Sequence, residues 1–404
     1  MRISTSVRAI ACAAAGFGIL FTLGCGGEGG KIKIGEYGSL TGATATFGTS
    51  THQGILIAME EVNAAGGVGG ILLDLITEDD QGRPEEAATA VNKLIVQDQV
   101  IAVLGEVASS NSLAGAPICQ EARVPMITPA STNPAVTEAG NYVFRICFID
   151  PFQGTVMARF ARESLKLNKV GILRDAKSDY SVGLAGFFTA EFQRLGGEVL
   201  GDESYQQGDV DFRAPLTALI TRGPEGIFVP GYYTEVGLIA RQARELGYTG
   251  PLMGGDGWDS PKLAEIAGKS IDGCYLSNHY SADDPNPVVQ SFIQSFKQRF
   301  NVSPDAMAAL GYDAMRLLVK CLTDLQAQDP EAFAVLASTP GGDSSAKAAH
   351  ERARARLRDL IAGTSRFPGV TGEITLDEQR NAQKPAVVLE VRDGQFHFAE
   401  RIGS

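Results

Sequence analysis

The sequence is poor in the residues that build metal centres and nucleophilic active sites. Its only four histidines are far apart: His52, His279, His350 and His397. Beyond the first 25 residues the cysteines are Cys119, Cys147, Cys274 and Cys321, and none of them has the spacing of a zinc site. No Gly-x-Ser-x-Gly elbow marks a hydrolase nucleophile. The sequence therefore predicts no metal, no cofactor and no enzymatic activity.

Positive charge is scarce relative to negative charge. The chain has 35 Lys and Arg against 47 Asp and Glu, a formal net charge of −12 at pH 7. This balance argues against nucleic acid or anionic lipid surfaces as partners. Phosphate-binding loops are missing too, because the glycines of 66–70 follow a predicted helix where dinucleotide binding requires a strand. Leu263 likewise replaces the first glycine of a nucleotide loop ending at 267–270.

Long apolar runs are confined to the start of the chain. Arg2 and Arg8 precede the apolar run "AIACAAAGFGILFTL". This pattern is typical of a secretory signal, which we assign to residues 1–24. "TLGC" resembles the bacterial lipoprotein cleavage box, and so predicts lipidation of Cys25 and a tether over 25–30 that is the only membrane attachment. An ordinary cleavage site nearby is the alternative. In an exported protein the four later cysteines could form disulfides, but their apolar surroundings favour buried thiols.

The rest of the chain alternates strand-like and helix-like segments. One series runs from "KIKIGEYGSL" at 31–40 to "YVFRICFI" at 142–149, and a second starts at "KVGILRDA", 169–176. Alternation of this kind predicts an α/β fold with parallel sheets wrapped by helices. Two successive series predict two lobes.

Loops at the carboxyl ends of predicted strands carry the candidate binding residues, since open α/β sheets bind ligands there. Ser109 lies at a helix start after "VIAVL", while Ala130 and Thr132 follow "VPMIT". Their hydroxyl and backbone N–H groups could hold a carboxylate without an arginine. The alternative is that Ser109 and Thr132 only cap helices.

A third set of loops belongs to the second series. Tyr180, Tyr232 and the "GGDGWD" segment with Asp256 and Trp258 follow its predicted strands. A carboxylate in a glycine-rich loop beside the only tryptophan suits an ammonium group. The alternative is an Asx-turn at Asp256 and a packed Trp258.

The order of several segments resembles the periplasmic leucine/isoleucine/valine-binding receptors, which are solute-binding subunits of ABC importers. The segments include "GILIAMEEVNAAGGVGG", "VPMITPASTNP", "FRICFIDPFQG", "GYYTEVGLIARQARELG" and "GDGW", and the resemblance covers nearly all of residues 31–400. It implies two Rossmann-like lobes of the type I periplasmic binding fold, joined by three hinge crossovers near 147, 277 and 366. Lobe 1 would comprise 31–147 and 278–365, and lobe 2 would comprise 148–277 and 366–404.

The resemblance also implies roles for individual residues. Ser109, Ala130 and Thr132 would hold the ligand carboxylate, and Asp256, Tyr180 and, with lower priority, Asp150 would hold the ammonium. Asp150 could instead only cap its helix. The ligand side chain would contact Phe47, Tyr232, Trp258 and Met307. These residues depart from the family pattern at several positions, so the resemblance leaves the identity of the ligand side chain open.

The expected function is capture of a small amino acid, branched-chain, otherwise apolar or aromatic, between two closing lobes. A monomer in the periplasm or another extracytoplasmic space would deliver it to an ABC permease in the cytoplasmic membrane. A receptor for an amide, urea or aromatic acid, and a ligand sensor feeding a signalling kinase, remain alternatives. An amidase-like enzyme on the same fold is a third, and it lacks a recognisable nucleophile and base.

Overall fold

The computed structural model describes Met1, residues 30–338 and residues 343–403. The predicted signal apart from Met1, Cys25 and nearly all of the predicted tether lie outside these ranges. Within the described chain no helix combines the length and apolar character needed to cross a membrane. Two sheets organise the fold, and we call the parts built on them the first and second lobes.

The first sheet has five parallel strands in the order β2-β1-β3-β4-β5. They are β1 (Ile32–Gly38), β2 (Leu73–Asp79), β3 (Ala102–Leu104), β4 (Met126–Thr128) and β5 (Val143–Arg145). The three short strands are fully buried because helices cover both faces, which explains why they appear as apolar runs in the sequence. The strand order reverses between β1 and β3, and the loops that follow β1, β3 and β4 open at that edge.

Helices connect these strands and then lead to the second lobe. They are α1 (Ala45–Ala64), α2 (Pro84–Val96), α3 (Ser109–Ala122), α4 (Ala135–Glu138) and α5 (Asp150–Arg159), the last continued by a π-helical turn at Phe160–Ser164. Pro84 and Pro151 occupy the first turns of α2 and α5, where a missing N–H costs nothing.

The second sheet has seven strands in the order β15-β14-β10-β9-β8-β6-β7. The parallel strands are β6 (Lys169–Asp175), β7 (Glu198–Tyr205), β8 (Gly226–Phe228), β9 (Leu252–Gly254) and β10 (Tyr275–Asn278). The antiparallel pair β14 (Ala386–Arg392) and β15 (Gln395–Ile402) adds an edge through a hairpin at Asp393 and Gly394. Both turn residues have positive φ, as a two-residue hairpin turn requires.

The helices of the second lobe follow its parallel strands. They are α6 (Asp179–Arg194), α7 (Arg213–Ile220), α8 (Tyr233–Glu245) and α9 (Pro261–Ala267), with single 3₁₀ turns at Asp256–Trp258 and Gly268–Ile271. The turn at Asp256–Trp258 directly follows β9, so the "GDGW" segment stands at the carboxyl edge of this sheet.

Four further helices pack on the first lobe. They are α10 (Pro287–Phe300), α11 (Ala306–Gln328), α12 (Pro330–Leu336) and α13 (Ser344–Ala362). The contact between α1 and α11 depends on glycine, because a Cβ added to Gly54 would lie 1.9 Å from the carbonyl oxygen of Ala308. This close packing brings Phe47 of α1 and Met307 of α11 to the same side of the lobe.

A short antiparallel sheet differs from the prediction. Its strands are β11 (Phe367–Gly369), β12 (Gly372–Leu376) and β13 (Ala382–Gln383). Asp313 of α11 accepts hydrogen bonds from the N–H groups of Val370 (2.7 Å) and Thr371 (2.9 Å), and Arg380 accepts one from Arg145 N–H through its carbonyl (3.2 Å). These contacts attach the sheet to the first lobe, and not to the second as the division at 366 implied.

The chain passes between the lobes three times. The passages follow β5, follow β10, and lie at Lys384 and Pro385 between β13 and β14. The expected positions near 147 and 277 fall at the first two passages, whereas the third lies about 18 residues beyond the expected 366. We call these segments the first, second and third crossings.

The cysteines of the described chain are packed in the interior. Cys119, Cys147, Cys274 and Cys321 are buried, and all four are free thiols. Burial raises the pKa of the Cys147 thiol to about 12, which keeps it protonated. This agrees with the expectation that they serve as small core residues.

Candidate ligand-binding cleft

A buried cavity lies between the two lobes at the carboxyl edges of both sheets. The space free of protein atoms, counted together with the solvent that opens onto it, is about 210 Å³. It is lined by Phe47, Val107, Ser109, Ala130, Tyr180, Tyr232, Asp256, Gly257 and Met307. Seven of these nine residues were singled out from the sequence. The first lobe contributes five of the nine and the second lobe four, so a molecule in the cavity would contact both.

The first-lobe wall comes from the loops after β3 and β4. Ser109 is the first residue of α3, but its side chain does not cap that helix; its Oγ instead accepts a hydrogen bond from Asn133 N–H (3.2 Å). Ser112 and Ser131 join the two loops through their Oγ atoms, 2.7 Å apart. The alternative of Ser109 as a mere helix cap is therefore wrong, and the two polar loops form one surface.

A buried arginine supports this wall from behind. The guanidinium of Arg145, at the end of β5, donates to the carbonyl oxygens of Ser131 (2.6 Å) and Asn133 (2.9 Å). Arg145 is fully buried, and burial lowers its pKa from the ordinary value. These hydrogen bonds turn the carbonyl groups of the loop toward Arg145. The positive charge of the guanidinium therefore lies behind the loop that we expect to receive a carboxylate.

The second-lobe wall is organised around Asp256. Its Oδ1 accepts hydrogen bonds from Gln153 Nε2 (2.8 Å) and Tyr180 OH (3.0 Å), and its Oδ2 lies 3.0 Å from His279 Nε2. Tyr180 OH in turn accepts a hydrogen bond from Gly257 N–H (3.2 Å). Asp256 is 3% exposed. A carboxylate held by neutral donors in a buried site keeps its negative charge available for a cation.

Aromatic rings close the remaining sides of the cavity. Tyr180 stacks on Tyr232 with ring centroids 5.4 Å apart and planes at 5°. Phe47 meets Tyr232 edge-on at 5.5 Å. Met307 completes an apolar side of the cavity together with Phe47. This half of the cavity suits an uncharged, apolar side chain.

Thr132 and Asp150 lie beside the cavity but do not line it. Asp150 N–H donates to the Thr132 carbonyl (2.9 Å), and both side chains are buried. Within the described residues, Thr132 Oγ1 and both carboxylate oxygens of Asp150 have no hydrogen-bond partner. Asp150 does not cap α5, which answers the alternative raised from the sequence. Burial raises the pKa of Asp150 to about 8; the nearby Thr132 hydroxyl opposes this rise, and the negative charge of Asp256 adds to it.

Trp258 does not occupy the place that the sequence suggested. Its side chain is fully buried in the core of the second lobe, and its Nε1–H donates to the Val229 carbonyl (2.9 Å). The ring fills the space above Gly254, where an added Cβ would lie 2.2 Å from it. The 3₁₀ turn points Asp256 into the cavity and Trp258 away from it. The expectation that Trp258 contacts a ligand side chain is therefore not supported, and the packed-tryptophan alternative fits.

Sequence reasoning missed four residues of the site. Val107 and Gly257 line the cavity, and Gln153 and His279 hold Asp256. Val107 follows β3 directly, so its place after a buried strand is the signal that could have found it. Gln153 stands three residues after Asp150 in the segment "DPFQG", which was noted for its resemblance alone. His279 gave no signal, because an isolated histidine after a strand has no pattern.

Hydrogen bonds across the cleft hold the lobes together around the cavity. Ser110 Oγ donates to Asp179 Oδ2 (2.8 Å), and Asp179 N–H donates back to Ser110 Oγ (3.2 Å). Thr46 Oγ1 lies 2.8 Å from Ser260 Oγ, and Thr234 Oγ1 donates to the Ala43 carbonyl (2.9 Å). The cleft is thus closed over the cavity.

Comparison with known proteins fits this two-lobed cleft. The profile described as "Periplasmic binding protein" matches residues 31–395, which is most of the chain. The chain belongs to this family. A curated relative, the leucine-, isoleucine-, valine-, threonine- and alanine-binding protein of Pseudomonas aeruginosa, is 33% identical over 305 residues. The match covers 75% of this chain and 81% of that one.

Solved structures of the family show the same architecture. A leucine-binding protein from Thermotoga maritima is 39% identical and superimposes with a TM-score of 0.82, covering 92% of this chain and 99% of that one. The branched-chain amino acid transporter substrate-binding protein of Streptococcus pneumoniae, in complex with isoleucine, is 29% identical with the same TM-score and coverage. The predicted fold, two α/β lobes of the type I periplasmic binding class, is confirmed. As a periplasmic binding protein, the chain is a solute-binding protein that acts outside the cytoplasm.

Proposed function

We propose that this protein captures a small L-amino acid with an apolar side chain, most directly leucine, isoleucine or valine, for an ABC importer. The α-carboxylate would bind the surface formed by Ser109, Ala130 and Thr132. The α-ammonium would bind Asp256, with Tyr180 and Asp150 beside it. The side chain would lie against Phe47, Tyr232 and Met307.

The observation that carries this proposal is the opposition of two polar walls across one small cavity. The Ser109 hydroxyl and the loop of Ala130, backed by Arg145, form one wall, and the negative Asp256 forms the other. A zwitterion matches this arrangement, because each of its charges would meet the complementary wall. The names of the relatives support the same class of ligand.

Isothermal titration calorimetry of the lipid-free mature protein tests the ligand class. Unfolding and refolding first strip any bound ligand, which would otherwise hide binding. The titrants are the standard L-amino acids, urea, short amides and aromatic acids. We expect heat from a group of apolar L-amino acids with one site per chain. Binding of an amide or aromatic acid with no response to any amino acid would overturn the proposal while leaving the fold intact.

The buried acid weighs against the other ligands considered from the sequence. Urea, simple amides and aromatic acids carry no cation to offset the charge of Asp256. The opposed walls thus favour an amino acid over these compounds.

The cellular setting is part of the proposal. Signal residues 1–24 would be removed, Cys25 would carry the lipid, and a monomer on a short tether would deliver its ligand to a permease in the cytoplasmic membrane. The spacing of "TLGC" supports the anchor, and the relative named as a transporter substrate-binding protein supports the permease. Metabolic labelling with a radioactive fatty acid tests the anchor; loss of label in Cys25→Ser is the expected result.

A further inference from the structure

His279 connects the acid of the cleft to the crossings between the lobes. It is the first residue after β10, in the second crossing, and it is 3% exposed. Its Nε2 lies 3.0 Å from Asp256 Oδ2, and its ring stacks on Phe148 in the first crossing at a centroid distance of 3.7 Å. One imidazole therefore contacts Asp256 and links two of the three segments that join the lobes.

The charge state of His279 suits a supporting role. Burial lowers its pKa to about 4; Asp256 opposes that shift, and Lys384 of the third crossing adds to it. The imidazole is therefore neutral at ordinary pH, and Nε2–H donates to Asp256. A neutral donor fixes the carboxylate without cancelling its charge, whereas a lysine or arginine at this place would compete with a ligand cation.

The hydrogen bonds of Asp256 divide unequally between its oxygens. Among the residues that the structure describes, Oδ1 has two side-chain donors, Gln153 and Tyr180, whereas Oδ2 has His279 alone. Loss of the imidazole would leave Oδ2 buried without that donor and free the carboxylate to rotate about its bond to Cβ. The orientation of the Asp256 carboxylate plane relative to the cavity thus depends on His279.

Resting on the amino-acid function proposed above, we propose that His279 is a positioning residue that orients Asp256 toward the ligand ammonium and ties it to the crossings. It does not line the cavity itself. Its effect must therefore appear in how the protein recognises the ammonium, and not in how it recognises the carboxylate or the side chain.

Two variants and two ligands test this role. His279→Leu removes the donor, and His279→Gln keeps a side-chain N–H donor. Each variant and the wild type are stripped of ligand and titrated with L-leucine and with 4-methylpentanoate. The second compound has the same carboxylate and side chain as L-leucine but no ammonium. Competition calorimetry measures the affinity of whichever ligand binds too weakly for direct titration. Because a hydrogen bond to a charged group contributes about 1.5–3 kcal/mol, we expect His279→Leu to bind L-leucine roughly 10-fold to 150-fold more weakly.

The ratio of the two affinities is the decisive result. We expect 4-methylpentanoate to bind His279→Leu within a fewfold of wild type and His279→Gln to recover most of the L-leucine affinity. Equal losses for both ligands, or unchanged L-leucine affinity, would overturn the positioning role while leaving the proposed function in place. A wild-type protein that binds no amino acid would overturn the proposed function and this inference with it.

Discussion

In the proposed function, single residues decide whether the cleft recognises a zwitterion, and Asp256 is the first of them. Asp256→Ala removes one partner of a buried charge pair, a loss of about 2–5 kcal/mol, or roughly 30-fold to several thousandfold in affinity for the bound amino acid. Calorimetry on the stripped variant measures the loss. Asp256→Asn is the matched control for shape, and it should also bind weakly because it lacks the charge. Affinity within a fewfold of wild type in Asp256→Ala would contradict the assignment.

Trp258 provides the opposite prediction. Because its ring is packed in the second-lobe core and faces away from the cavity, Trp258→Phe should leave amino-acid affinity within a fewfold of wild type. The variant should unfold at a lower temperature, since a buried hydrogen bond and ring volume are lost. Thermal unfolding and calorimetry on the same sample separate the two effects. A large loss of affinity without loss of stability would return Trp258 to the ligand site.

Asp150 should make the stability of the empty protein depend on pH. Its pKa is about 8 in the folded chain against an ordinary 3.8, so its contribution is fully present below about pH 4 and is lost as the pH rises through 8. Between pH 6 and 8 this group should lower the free energy of unfolding by about 1 kcal/mol per pH unit. Burial likewise raises the pKa of Glu106 to about 8, which adds a parallel slope.

Thermal unfolding of stripped wild type and Asp150→Asn at pH 6, 7 and 8 checks this prediction. The variant cannot ionise, so it should lose the Asp150 part of the slope and keep the Glu106 part. Identical slopes in the two proteins would show that Asp150 does not change its protonation on unfolding.

The position of a residue at the cavity was predictable where a local pattern existed. Ser109, Ala130 and Asp256 each follow a buried strand, and parallel strands bring their carboxyl ends to one edge. The side chains that hold Asp256 could not be predicted. Gln153 lies 103 residues from Asp256 in sequence and His279 lies 23 residues from it, so neither contact has a local pattern. The predicted ligand contact of Trp258 failed for a different reason. Tertiary packing sets the direction of a side chain on a single 3₁₀ turn, and the sequence carries no local pattern for that packing.

At the level of elements, the starts of α3 and α6 meet across the cleft. Ser110 and Asp179 exchange two hydrogen bonds there, in a solvent-exposed position. Such a pair contributes on the order of 1 kcal/mol, so Ser110→Ala or Asp179→Ala should weaken ligand binding by roughly 3-fold to 10-fold, mainly through faster dissociation.

Stopped-flow dissociation and a double-mutant cycle check the pair. The double variant Ser110→Ala/Asp179→Ala should bind about as well as either single variant, because each change breaks the same contact. Fully additive losses would show that the two side chains act independently of each other.

Elements were predictable to different degrees. The parallel strands stood out as apolar runs, and the Asp-Gly turn at the end of the chain fixed the β14–β15 hairpin. The third crossing was misplaced because the sequences of β11–β13 indicate strands but do not indicate which lobe the strands join. They belong to the first lobe through Asp313 of α11, a long-range contact without a local pattern.

For the whole molecule, the burial of the cavity dictates how it works. Three of its wall residues are almost inaccessible: Ser109 is 1% exposed, Tyr180 3% and Phe47 1%. A ligand can therefore reach them only when the lobes separate about the three crossings. A ligand that contacts both lobes then stabilises the closed arrangement by differential affinity.

The central claim is that both charged ends of one amino acid are held at once, by opposite lobes. The most direct test titrates stripped wild-type protein with L-leucine, with 4-methylpentanoate, which lacks the ammonium, and with leucinamide, which lacks the carboxylate. We predict that L-leucine binds at least about 30-fold more tightly than either analogue, since each loses one buried charge partner. An analogue that binds as tightly as L-leucine would show that its missing group is not recognised and would contradict the account.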